Sequence, residues 1–173
     1  MLKQFDILFS FLCSMEKTHI IIKPGIGLGE IKFGMSKEEV ETILGKPEFQ
    51  EITSFEDEGE EFKSDSWEYH GLRVDLSFEE AEDWKLVIIS VSSDDYLLNE
   101  KQLIGSDMEE LMSELTELSI NDIEVEDLST EENPDFILVA SEEHAINFWV
   151  SEDVTEEIQW GPHINEDNTI AWP

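Results

Sequence analysis

The chain has 173 residues, 40% of them hydrophobic, with five tryptophans, enough for a folded interior in one domain or in two small lobes that share a core. Glu and Asp number 43 against 10 Lys plus Arg, a formal net charge of −33. That balance argues against nucleic acid, whose binding rests on basic residues that neutralise phosphates, and against an anionic membrane surface.

The charge is uneven. All ten basic residues lie in residues 1–101, and residues 102–173 carry 20 acids with no Lys or Arg. Such a surface attracts a basic protein, with faster encounter at low salt. It also serves solubility, which is the plainer account. Salt adaptation is a third account, which a more than twofold excess of Glu over Asp does not favour.

The first segment, MLKQFDILFSFLCSMEK, carries the single cysteine, Cys13. One cysteine excludes an internal disulfide and fits a reducing, cytoplasmic setting. The apolar run Ile7 to Leu12 is similar to a short signal or lipoprotein leader. Asp6 interrupts it, and Leu12 stands where lipid attachment wants a small residue. No stretch approaches the roughly 20 apolar residues of a membrane span. Residues 1–17 therefore read as a leader or N-terminal extension ahead of the regular pattern.

Ile20 to Ile22 predict a short strand, stopped by Pro24 and Gly25. GIGLGE follows; Glu30 stands where a phosphate-binding loop would place its third glycine, so the loop is read as flexible backbone. A helix then opens at Ser36, with Glu39 completing a capping box and Val40, Ile43 and Leu44 on one face. Gly45 and Pro47 end it. The same opening recurs from Ile104 to Leu115, with Asp107 as cap, Glu110 in the box position, and Leu111, Leu115 and Leu118 as the stripe.

Glu48 to Glu61 holds seven acids in fourteen residues and reads as a solvated loop. Alternation then takes over. Trp67 and Tyr69, the turn His70-Gly71, and Leu72, Val74, Leu76 and Phe78 predict a hairpin. Trp84 to Ser93 predicts a central strand. The second half repeats the order, with an acidic connector from Asn121 to Asp135 and strands at Phe136–Ser141, Ala145–Ser151 and Glu156–Pro162. The terminal Trp172 is expected to dock on the body.

The expected fold is α+β, two tandem repeats of helix plus three-stranded antiparallel meander packed as one unit. The repeats would span residues 18–101 and 102–173.

Little in the chain suggests catalysis. His19, His70, His144 and His163 show no metal spacing. NEDN, Asn165 to Asn168, lacks the pattern of a calcium loop. With 43 acids, close carboxylate pairs arise by accident. No catalytic, metal or cofactor residue is assigned. The aromatic residues are more informative. Trp67, Trp149 and Trp160 lie in expected strands and would be core or, on an open sheet face, anchors for a partner.

The stretch GIGLGEIKFGMSKEEVETILGKP resembles the G-M-[ST]-x-E-E-V…L-G-x-P signature of the small outer-membrane assembly lipoproteins of the SmpA/OmlA type. Gly34, Met35, Ser36, Glu38, Glu39, Val40, Leu44, Gly45 and Pro47 carry it. The tandem order of elements is similar to that of the beta-lactamase inhibitor protein family, in which two α/β repeats form one concave sheet that grips an enzyme. With its Gln159 to Pro162 segment, QWGP, the chain also resembles small acidic bacterial proteins that include suspected toxin-immunity proteins. These resemblances imply a non-enzymatic bacterial protein that occludes a basic partner, possible immunity or inhibition being the concrete forms. The alternative they imply is an envelope-associated structural module.

The acids expected to steer such a partner are Glu56, Asp57, Glu58, Glu60 and Glu61 in the first connector, and Glu124, Glu126, Asp127, Glu131 and Glu132 in the second. Trp67, Trp149 and Trp160 would hold it. The sequence leaves the oligomeric state open.

Overall fold

The computed structural model describes residues 20–57 and 60–173. The N-terminal extension, Cys13, His19 and Glu58 lie outside them, and Asp57 and Glu60 are described by their backbone alone.

The first segment forms β1 (Ile21–Lys23), β2 (Gly27–Leu28) and β3 (Ile31–Lys32). Helix α1 (Lys37–Leu44) follows. Its Ser36 hydroxyl accepts from the Glu39 N–H, and the Glu39 carboxylate accepts from the Ser36 N–H, so the expected capping box is formed. Then come β4 (Phe49–Asp57), β5 (Glu60–Tyr69), β6 (Val74–Glu79) and β7 (Lys85–Val91). Two short strands, β8 (Leu97–Leu98) and β9 (Lys101–Gln102), lead to α2 (Met108–Glu117). Asp107 caps α2 by accepting from the Glu110 N–H at 2.8 Å. The chain ends with β10 (Ile123–Asp127), β11 (Phe136–Ser141), β12 (Ile146–Ser151), β13 (Val154–Trp160), β14 (His163–Ile164) and β15 (Ile170–Ala171).

One antiparallel sheet of eight strands dominates, in the order β10-β11-β12-β13-β7-β6-β5-β4. Its two groups of four meet where β13 pairs with β7, Ile158 opposite Val91 and Trp160 opposite Ile89. A smaller five-stranded sheet has the order β3-β2-β1-β8-β9, with β1 and β8 parallel.

Alternation decides which face of the large sheet is covered. Trp67, Tyr69, Val74, Leu76, Phe78, Ile89, Val91, Ile158, Trp160, Phe148 and Val139 share one parity and are buried. They join one apolar cluster with Val40 of α1, Leu111 and Leu115 of α2, and Ile22, Leu28 and Leu98 of the small sheet. The Trp160 indole donates to the Gly27 carbonyl at 3.2 Å, which ties the two sheets together. Trp172 docks as expected: a Cβ on Gly34, which sits at φ +83°, would stand 2.8 Å from its ring.

The covered face also holds a charge. Asp65, with no exposed surface, meets the Lys37 ammonium at 2.5 Å and accepts from Gln50 at 2.9 Å. Lys37 lies 3.9 Å from the centre of the Trp84 ring. The first turn of α1 is thus fastened to β5 and to the loop before β7.

The expected fold class is corrected here. Strand makes up 49% of the structure and helix 14%, so the chain is mostly β and is not an α+β pair of helix-plus-meander repeats. Both acidic connectors were expected as loops. The first is β4 and the start of β5, and the second contains β10. The physical reason is their position. They are the two edge strands of the large sheet, so their side chains stay in solvent and need no apolar alternation.

Candidate functional site

Among the described elements none covers the opposite face of the large sheet. The strand registers place one residue from every strand in a row across it: Phe49, Glu68, Asp75, Ser90, Gln159, Asn147, Ala140 and Glu124. Seven strand spacings make the row about 34 Å wide. It carries three carboxylates and no Lys or Arg. Short polar side chains fill the centre. The Ser64 and Ser77 hydroxyls lie 2.6 Å apart, and the Gln159 amide donates to the Ser90 hydroxyl at 3.2 Å. Aromatic pairs stand toward the two ends: Phe55 stacked on Phe62 at 5.3 Å, and Phe136 on Trp149 at 5.4 Å.

The carboxylates on this face crowd one another. Burial pushes the Asp75 carboxyl above its ordinary range, and the charges of Glu68 and Glu157 push it further. The Glu68 carboxylate lies 2.7 Å from His70 Nε2, a hydrogen bond that raises the pKa of the imidazole. Beside these carboxylates opens a groove of ≈ 700 Å³ lined by Arg73, Ser92, Phe136, Trp149, Glu157 and Gln159 among others.

The structure sorts the residues expected to bind. Trp67 and Trp160 are core residues, 4% and 2% exposed. Trp149 alone of the three reaches the open face. Glu56 and Glu61 face each other on β4 and β5 and are exposed. Glu124 and Glu126 project from β10 on the open side, while Asp127 has the opposite parity. Glu131 and Glu132 lie in the loop before β11. The two acidic groups therefore occupy opposite ends of the sheet and do not converge. Glu68, Asp75 and Glu157, which do converge, were missed. They sit inside alternating strands, where a carboxylate reads as the solvent side of a strand, and only the register across β5, β6, β7 and β13 brings them together.

One further constellation has the residue types of a hydrolase. The Ser141 hydroxyl contacts both Asp122 oxygens at 2.8 Å and His144 Nδ1 at 2.9 Å. In a nucleophilic triad the imidazole stands between serine and carboxylate. Here the serine stands between them, and it is 2% exposed. Burial works against the Asp122 charge, yet the Glu143 N–H and the Ser141 hydroxyl hold its carboxyl below the ordinary range. The group locks the β11–β12 turn to the segment before β10.

Among the described residues no group of three or more His, Cys, Asp or Glu is placed to hold a metal ion. No described helix is long and apolar enough to cross a membrane.

No family model matches the chain. No curated protein matches it either. Among solved structures it is similar to the uncharacterized protein yfeY from Escherichia coli, at 13% identity and a TM-score of 0.49, over 83% of this chain and 99% of that one.

Proposed function

We propose that the protein is a non-enzymatic acidic binding protein that takes a basic protein on the open face of its large sheet and occludes it. Immunity to a toxin, or inhibition of an enzyme, is the form this would take in a cell. The observation that carries the reading is the row from Phe49 to Glu124. It is an uncovered, eight-strand-wide surface with carboxylates crowded at Glu68, Asp75 and Glu157 and aromatic pairs toward both ends. A cationic partner would neutralise the crowded carboxylates, and the aromatic side chains would supply apolar contact around them. The net charge of −33 would accelerate encounter at low salt.

The test is retention from a lysate of the native host on the immobilised protein, eluted by a salt gradient and identified by mass spectrometry. One basic protein held in near-equal amount, and released only at high salt, is expected. Loss of all specific retention at low salt, from cells that make basic proteins in quantity, would leave the charge as a device for solubility.

A further inference from the structure

Sheet edges invite pairing, and proteins blunt them by shortness, Lys, Pro or bulges. Of the four edges of the eight- and five-stranded sheets, three are blunted. β3 and β9 have two residues each. β10 has five, three of them acidic. The fourth edge is β4, and it is not blunted. It has nine residues, FQEITSFED, with no Pro, Lys or Arg. Its pairing with β5 runs from Phe49 to Asp57 without a register shift. Phe49, Ile52 and Phe55 are 45%, 57% and 60% exposed. Phe49 and Phe55 share the open face, and Ile52 lies on the other, so the edge is apolar on both sides.

What covers such an edge is decided by charge. Glu51 and Glu56 are exposed along it, and Asp57 ends it. A second copy would bring its own β4 carboxylates against these and would carry the same −33. Like charges across paired strands are destabilising. An extended segment that carries basic and apolar residues on both of its faces suits it instead, because Phe49, Glu51 and Phe55 share one parity and Ile52 and Glu56 the other. Such a segment would place Lys or Arg beside Glu51 and Glu56, and β-branched or aromatic residues beside Phe49, Ile52 and Phe55.

We infer that β4 is a strand-addition site, at which an extended basic segment of a partner extends the large sheet to nine strands. The inference rests on the proposed function and gives it a mode: main-chain hydrogen bonds supply grip, and the side chains on the two faces of the segment supply selection. A nine-residue segment would cover about 30 Å of edge.

The test uses the full chain and a capped nine-residue Val-Lys peptide, with Val placed opposite Phe49, Ile52 and Phe55, Lys opposite Glu51 and Glu56, and Thr elsewhere; the Val-Glu control has Glu in place of each Lys. Amide exchange is followed residue by residue. In the free protein the β4 amides that face β5 exchange slowly and the alternate, outward-facing ones exchange fast. The Val-Lys peptide is expected to slow the outward set by about tenfold or more, and the Val-Glu peptide to leave it unchanged. Four results would overturn the inference. One is a Val-Lys peptide that binds nowhere. A second is a peptide that shifts signals of Glu68, Asp75 and Gln159 while the outward amides stay fast, which removes strand addition and keeps face binding. Protection that grows with protein concentration alone would mean a second copy. Protection in the free protein at every concentration would mean that the chain covers its own edge.

Discussion

Asp75→Asn tests the crowding of the open face. Asp75 lies directly opposite Glu68 across the β5–β6 pair, and Glu157 adds a second like charge. A like-charge cross-strand pair costs roughly 0.2–1 kcal/mol. Near the upper end for Glu68 and the lower end for Glu157, the neutral isostere gains about 1 kcal/mol at pH 7. For a chain of this size that is a rise in Tm of about 2–4 °C. The sign with pH follows from the raised pKa. The folded protein holds the Asp75 proton more tightly than the unfolded chain. Its contribution to stability is therefore full below the ordinary value of 3.8 and is lost as pH rises through the raised one. The Asn variant lacks that loss, so the two stability curves separate at neutral pH and converge in acid. Urea unfolding followed by tryptophan fluorescence between about pH 3 and pH 7 measures both. An Asn variant less stable than the parent at pH 7 would refute the reasoning. So would a gain that persists undiminished in acid.

Lys37→Met leaves the fully buried Asp65 carboxylate without its cation and is expected to cost about 3 kcal/mol or more by urea unfolding, whereas Lys37→Met with Asp65→Leu should return to within about 1 kcal/mol of the parent. Trp160→Phe removes the indole donor to the Gly27 carbonyl, while Trp67→Phe removes an indole N–H that has no partner among the described residues, so the first should cost about 1 kcal/mol more than the second in the same assay. His70 and Asp75 both have raised pKa values, so the face gains negative charge as pH climbs through them. The salt needed to elute a basic partner should therefore rise between about pH 5 and pH 8, and a flat or falling dependence would contradict the placement of the partner on this row.

Much of the covered side was legible in the sequence, because burial enforces pattern. The stripe Val40, Leu111 and Leu115, the cap at Ser36, and the alternation of Val74, Leu76 and Phe78 all reflect a face that must exclude water. The strand at Phe136–Ser141 was placed at its observed bounds for the same reason. The edge strands were not legible. In β4 and β10 nothing is buried deeply enough to impose a period, and their acids resemble those of a loop. The small strands β8 and β9 are two residues each, too short for any pattern. The candidate site was harder still. Glu68, Asp75 and Glu157 come from strands up to 89 positions apart, and their meeting depends on β13 pairing with β7. Fold class was misjudged because two good helix openings outweighed strands that carry little signal individually.

The most direct test compares two variants of equal charge on the host-lysate column. One is Glu68→Gln/Asp75→Asn/Glu157→Gln on the open face. The other is Glu38→Gln/Glu109→Gln/Glu142→Gln, on the two helices and the β11–β12 turn. If a basic protein binds the open face, the first variant releases it at much lower salt and the second holds it like the parent. Equal weakening by both variants would show that only net charge matters, and would contradict a site on the sheet.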